Sequence, residues 1–363
     1  MNRRIIIAGG GTGGHIFPAL AIAGALKKKE PDVDILFVGA KGKMEMEKIP
    51  QAGYPIVGID IAGYNRSSLI KNIALPYKLI KSFLQVKEIF KSFHPQAAIG
   101  VGGYSSYPVL RYAQAKGIPT FIHESNSFAG KSNMMLGKKA TRIFTASDGM
   151  EKFFPSSRTM HTGNPVRKKV VANQITRQEG IAFFGLDPQY ITVLITGGSL
   201  GAKSINEAIG AGITQLTSHH IQLIWQTGKS FSSQAAAYAV ESKLIWTSEF
   251  IADMEYAYAA ADIVVSRSGS VLYELCAVQK PVIFVPYPHA AEDHQMANAQ
   301  NLVLKNAAIL VADKNAGKDL VNEIVKLAND QPLQEMLKEN IGKMAITDAD
   351  EKIAEEILKT LHA

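Results

Sequence analysis

Short apolar runs alternate along the chain with segments whose apolar positions recur at helical spacing. In the first half the runs are RIIIA, DILFV, YPIVGI, AAIGVG, TFIHE and RIFTA, the signature of a parallel sheet with crossover helices. A polar stretch, residues 164–189, interrupts the pattern. It resumes with YITVLITGGSLGAKSINEAIGAGI and continues through IQLIWQ, KLIWTS, DIVVSR and PVIFVPY. The opening unit of strand, glycine loop and helix thus recurs about 186 residues later, near half the length. The expectation is an α/β protein of two Rossmann-like, doubly wound domains facing across a cleft, each with a phosphate-style loop. Residues 1–163 form the first domain and 164–347 the second, with 164–189 as hinge, while the helical segment in 348–363 packs back on the N-terminal half.

The first loop, GGGTGGH, follows a strand and opens a helix. Glycines there leave backbone N–H groups and the positive end of the helix dipole open to an anion such as a diphosphate. Gly9, Gly11 and Gly14 also fit the dinucleotide fingerprint, but the second strand ends in Gly39. Glu45 comes only after a lysine-rich loop, so the ribose-binding acid is missing where that reading needs it. His15 beside the seat suggests chemistry, since an imidazole can move a proton near neutral pH.

The 363 residues are 47% hydrophobic, enough for two cores. The one cysteine, Cys276 in YELCAV, excludes an internal disulfide and reads as a small buried apolar residue. No long apolar segment predicts a membrane span, and the expected location is cytoplasmic. Charge is uneven: residues 1–163 carry 22 Lys and Arg against 10 Asp and Glu, and residues 164–363 carry 17 against 22. The basic half should face something anionic. It lacks nucleic-acid-binding patterns, which leaves an anionic membrane surface.

In the second half, a strand ends at SRSG, a helix begins at Ser270, and Glu274 follows one turn in, where a carboxylate can reach a ribose diol. After PVIFVP a polar loop delivers Glu292, Asp293, His294 and Gln295. Asp293 reads as an N-cap and Gln295 as a hydrogen-bonding partner for a sugar hydroxyl. The Asp-x-Asp triplets at 32–34 and 348–350 read as solvated or capping charges, so no metal is expected.

The motifs GGGTGGHIFPALA, GVGGYSSYP, HESN, GNPVR, GGSLGA, SRSG with Glu274, and EDHQMANA occur in order over residues 4–302. Together they resemble the MurG family, the N-acetylglucosaminyltransferases that use UDP-N-acetylglucosamine to complete a lipid-linked muramyl-peptide in bacterial cell-wall synthesis. The resemblance implies a GT-B fold with the donor held mainly by the C-terminal domain and the lipid-linked acceptor by the N-terminal one. It implies that Ser199 meets the donor diphosphate, Arg167 helps bind the nucleotide, Ile251 offers backbone groups to uracil, and Glu274 takes the ribose hydroxyls. Gln295 and Asn126 would touch the sugar. Thr12, Gly13 and Gly14 would line the donor side of the first loop, with Ser270 beside the donor. Gly10, Gly11, Gly103 and Tyr104 would meet the acceptor. Two departures stand out: Ser125 replaces the glutamine usual in the HEQN motif, and one residue fewer separates the Arg of SRSG from Glu274.

The implied reaction is inverting, the acceptor's C4 hydroxyl attacking the anomeric carbon to give a β-1,4 link and UDP, with no cofactor. His15 is the first candidate base and Glu124 the second. A polyprenyl-linked acceptor requires contact with the bilayer. Residues 65–95 supply Lys71, Lys78, Lys81 and Lys87 with Leu79, Phe83, Val86 and Phe90 at helical spacing, which reads either as a packed helix with a lysine face or as a peripheral membrane surface on the cytoplasmic side. Other cell-wall synthesis and division proteins are further partners the resemblance implies. Two other readings stay open: a different UDP-sugar enzyme, such as a glycolipid synthase or epimerase, and a non-catalytic sugar-nucleotide-binding subunit.

Overall fold

The computed structural model describes residues 2–63, 73–172 and 174–362. The chain divides into two units: Met1–Arg167 with Ile346–Ala363, and Lys168–Ala345. Each is built on one parallel sheet in which consecutive apolar residues of a strand fill opposite faces.

In the first unit the strands are β1 (Arg4–Ala8), β2 (Asp34–Ala40), β3 (Ile56–Ile59), β4 (Ala97–Gly100), β5 (Thr120–Glu124), β6 (Arg142–Thr145) and β7 (Thr159–His161). They are ordered β3-β2-β1-β4-β5-β6-β7, all parallel. Ile5 and Ile7 join one buried cluster and Ile6 and Ala8 the other, which is why RIIIA is apolar without alternation. The crossover helices are α1 (Gly13–Lys29), α2 (Glu45–Gln51), α3 (Leu75–Phe93), α4 (Ser106–Ala115) and α5 (Lys131–Gly137). Strand order reverses between β1 and β4, so the crevice at their carboxyl ends is where a doubly wound sheet takes ligand.

In the second unit, helices α6 (Lys168–Val171) and α7 (Arg177–Phe183) precede β8 (Ile191–Thr196). Then follow α8 (Lys203–Ala211), α9 (Ile213–Ser218), β9 (Ile221–Gln226), α10 (Ser232–Glu241), β10 (Ile245–Ser248), α11 (Met254–Ala260) and β11 (Ile263–Ser266). The unit ends with α12 (Val271–Val278), β12 (Val282–Phe284), α13 (His294–Val303), β13 (Ile309–Leu310), α14 (Ala316–Ala328) and α15 (Gln331–Gly342). The order is β10-β9-β8-β11-β12-β13, again all parallel, and its reversal lies between β8 and β11.

Residues 168–189, expected within a hinge, instead belong to the second unit. Thr176 and Glu179 close a capping box at the start of α7, Arg177 pairs with Asp262 at 2.8 Å, and Ile181 and Phe184 enter the core. The polar composition reflects caps and ion pairs.

The terminal helix α16 (Ala349–His362) buries Ile353, Ala354, Ile357 and Leu358 in the cluster that contains α1. Its carboxylates also meet basic groups of the first unit: Glu351 with Lys28 (2.9 Å), Glu355 with Lys29 (3.4 Å) and Glu356 with Arg142 (2.8 Å). With the termini assigned this way the first unit carries 25 Lys and Arg against 15 Asp and Glu, so part of the basic excess of residues 1–163 is answered within the fold.

Candidate functional site

At the end of β1 the first glycine loop departs from expectation. The Gly10 N–H donates to the Gly102 carbonyl at 3.3 Å, and the Gly11 N–H donates to Glu45 Oε2 at 2.7 Å. Glu45 is buried, and its Oε1 accepts from the Ala40 N–H at 3.0 Å. The anion seat expected at Gly10 and Gly11 is therefore filled by the protein's own carboxylate. With the Gly11 N–H committed to Glu45, that group is not left to receive a phosphate. The acid that seemed too late in sequence for a ribose thus serves the loop itself. Thr12 precedes α1 in extended conformation without a side-chain cap, and no acidic residue lies in the first turn, so the helix dipole at Gly13 and Gly14 is uncompensated by the helix's own side chains.

His15 sits in that first turn. Its Nδ1 lies 3.0 Å from the Gly10 carbonyl. A carbonyl only accepts, so Nδ1 carries the proton and in the neutral ring Nε2 carries the lone pair. The Nε2–Cδ2 edge rests on Gly102, where φ is +96° and a Cβ would come within 2.6 Å of Nε2. The glycine of GVGG is thus required by the imidazole. Below it His123, in β5, is fully buried. Burial pushes its pKa down to about 4; the Gly163 backbone opposes the shift without a well-aligned hydrogen bond, and repulsion from His15 adds to it.

Glu124 ends β5 and is buried. Its carboxylate accepts from the Asn126 N–H and Nδ2 (both 3.1 Å), the Gly130 N–H (3.0 Å) and Asn133 Nδ2 (2.8 Å). Four donors on two oxygens make it an organiser of the loop after β5, where the sequence suggests a second base. Tyr104 is half-exposed, and a Cβ at Gly63 would overlap its ring. Arg167, expected with the second domain, belongs to the first unit, its guanidinium 5.2 Å from the centre of the Phe17 ring on α1.

In the second unit, Ser199 is exposed in the loop between β8 and α8. Ser204 on the first turn of α8 donates to Asp313, and Arg267 of SRSG reaches Asp313, Ser204 Oγ (3.1 Å) and the Val285 carbonyl (2.8 Å). Ser270 takes the N-cap position of α12 without a side-chain cap. Glu274, one turn in, is buried and accepts from the Tyr258 hydroxyl at 3.0 Å, which fixes the carboxylate. Gln295 Oε1 accepts from the Tyr287 N–H at 3.0 Å, and its backbone carbonyl from Ser268 Oγ at 2.7 Å, so the structure brings Gln295 and the SRSG loop together. Asp293 makes no side-chain cap; it and Glu292 are both left-handed, with φ +53° and +51°, conformations costly for these residues and frequent at ligand sites. Ile251 is buried and its N–H donates to Gln226 Oε1 at 2.9 Å, so of its two backbone groups only the carbonyl remains for a base.

Lys71 lies outside the described residues. Lys78 and Lys87 are exposed. Lys81 is drawn to Asp60 at 3.1 Å, as is Lys41 at 2.9 Å. Lys41, Gln85 and Lys81 hold the Asp60 carboxyl well below its usual range. Of the apolar positions expected on this segment, Val86 and Phe90 are core and Phe83 meets Tyr107. Leu79 is exposed, at 38%, and adjoins a more exposed stripe of Ile73, Tyr77, Ile80 and Leu84, at 77, 68, 64 and 61% exposure. Among the described residues no helix is long and apolar enough to cross a membrane. The Cys276 thiol is buried, which pushes its pKa up to about 12 and leaves it inert.

The glycosyltransferase family 28 N-terminal domain matches residues 5–145 and the family 28 C-terminal domain residues 192–357. The chain is 48% identical to the UDP-N-acetylglucosamine–N-acetylmuramyl-(pentapeptide) pyrophosphoryl-undecaprenol N-acetylglucosamine transferase of Phocaeicola vulgatus, over 99% of this chain and 96% of that protein. It is 46% identical to the protein of the same name from Parabacteroides distasonis, over 99% of this chain and 98% of that one. Among solved structures, MurG of Acinetobacter baumannii superposes with a TM-score of 0.78 at 27% identity, covering 98% of this chain and 99% of that one. The chain belongs to the MurG family of glycosyltransferase family 28.

Proposed function

We propose that this chain transfers N-acetylglucosamine from UDP-N-acetylglucosamine to the C4 hydroxyl of an undecaprenyl-pyrophosphoryl muramyl-pentapeptide, completing the lipid-linked disaccharide of peptidoglycan. The observation that carries this reading is His15, whose tautomer is set by the Gly10 carbonyl so that Nε2 holds a lone pair at the mouth of the first loop. In the transfer, the C4 oxygen forms a bond to the anomeric carbon while its proton passes to Nε2. The bond from that carbon to the diphosphate breaks, and UDP leaves with the electron pair.

The second unit holds the donor: Glu274 on the ribose hydroxyls, Gln295 on the sugar, the Ile251 carbonyl on the base, and Ser199 with the start of α8 on the diphosphate, with Ser270 alongside. The family resemblance adds Thr12, Gly13, Gly14, Asn126 and Arg167 as further donor-binding residues. With the Gly10 and Gly11 N–H groups engaged internally, the acceptor meets Gly103 and Tyr104. The exposed stripe that runs from Ile73 into α3, with Lys78 and Lys87, rests on the anionic face of the cytoplasmic membrane, which supports a peripheral location. Transfer of labelled sugar from UDP-N-acetylglucosamine to the muramyl-pentapeptide lipid tests the reading, with UDP-glucose and UDP-galactose as controls. Labelled lipid from the first donor alone is expected; equal use of all three, or none, refutes it.

A further inference from the structure

Gln226, the last residue of β9, lies in none of the sequence motifs, yet its buried side chain joins two loops of the donor half. Its Nε2 donates to the Gly198 carbonyl at 3.0 Å and to Thr196 Oγ1 at 3.3 Å. Its Oε1 accepts from the Ile251 N–H at 2.9 Å. One planar amide therefore fixes the diphosphate loop on one side and the base loop on the other, in a single geometry. The turn that follows extends the junction. A Cβ on Gly201 would lie 2.0 Å from the Thr227 carbonyl oxygen, so the diphosphate loop touches this turn backbone to backbone. The Thr227 and Gly228 N–H groups donate to the Ser248 and Glu249 carbonyls at 3.0 and 3.1 Å, and Asn206 on α8 donates to the Thr227 carbonyl at 2.8 Å.

We propose that Gln226 is a positioning residue that sets the spacing between the base subsite and the diphosphate subsite, so that a uridine diphosphate is bound as one preorganised unit. This rests on the donor reading above. Base and diphosphate of one ligand are joined by a fixed covalent span. Two loops that drift independently bind each half but lose the advantage of binding both at once.

The amide's two ends can be separated. Gln226→Glu keeps an acceptor for the Ile251 N–H and removes the donors to Gly198 and Thr196; Gln226→Met keeps the length and removes both links. Titration calorimetry of the full chain with uridine and with UDP reads each half. Gln226→Glu should bind uridine within about twofold of the unaltered chain and UDP roughly tenfold more weakly. Gln226→Met should lose roughly tenfold for uridine and more for UDP. In transfer assays both should raise KM for the sugar nucleotide more than they lower kcat. If both variants weaken uridine and UDP by one common factor, or neither weakens UDP, the positioning role is refuted. Should Gln226→Met not fold, the uridine-against-UDP split in Gln226→Glu decides. Glu274→Gln is the control: if the unaltered chain binds no UDP, or Glu274→Gln leaves UDP binding intact, the donor reading itself fails and takes this proposal with it.

Discussion

Replacing His123 with Gln should flatten the acid side of the first unit's stability profile. An unfolded histidine titrates near 6.5, whereas burial holds folded His123 at about 4. A depressed folded pKa means that the unfolded chain takes up the proton first, so the stabilisation is complete above pH 6.5 and is lost as pH falls toward 4. From these two values the loss between pH 7 and pH 5 is about 2 kcal/mol, approaching ~3 kcal/mol below pH 4. Gln keeps a polar side chain of similar reach and cannot titrate, so the difference between stability at pH 7 and at pH 5 should shrink by about 2 kcal/mol in the variant. Both tryptophans, Trp225 and Trp246, lie in the second unit, and their fluorescence reports that unit alone. Amide exchange of β4 and β5 reports the first. Profiles for the two proteins that run parallel within about 0.5 kcal/mol would refute the assignment of His123 as a neutral buried imidazole.

Glu274→Ala should weaken UDP binding by ~1–3 kcal/mol in a calorimetric titration, since a fixed carboxylate is lost from the ribose; unchanged affinity would remove it from the donor site. His15→Ala should lower kcat by ~10²–10⁴-fold with UDP affinity preserved, and a loss seen only in acceptor KM would make it a binding residue and not the base. Lys78→Gln with Lys87→Gln should reduce sedimentation with anionic vesicles by about 1 kcal/mol per lysine at low salt. Lys81→Gln should do less because Asp60 already answers its charge; equal effects from all three would contradict that ranking.

The sheets were legible because a doubly wound core buries both faces of a strand, so β1, β2, β4, β8 and β11 appear as near-continuous apolar runs. β7 escaped because its Thr-Met-His is a partly exposed edge strand, and β13 because it has two residues. The polar stretch before β8 looked like a hinge because caps and ion pairs have the composition of a linker. At the site, loop glycines and His15 could be placed from spacing alone. The engagement of Gly11 by Glu45 could not, since it joins positions 34 residues apart through a return of the chain that only the fold defines. The same holds for the two-sided amide of Gln226, whose partners lie at the end of β8, in the loop after it and in the loop after β10. The apolar spacing of α3 gave the helix, but which stripe faces outward depends on the side it turns to β3 and α4.

Proton NMR of the reaction product, formed from UDP-N-acetylglucosamine and the muramyl-pentapeptide lipid, reads the proposed transfer itself. One UDP released per disaccharide formed is expected, with a new anomeric proton that shows the large coupling of a β linkage to C4. An α linkage, or turnover of the sugar nucleotide to an epimer or free sugar with the lipid unchanged, would contradict it.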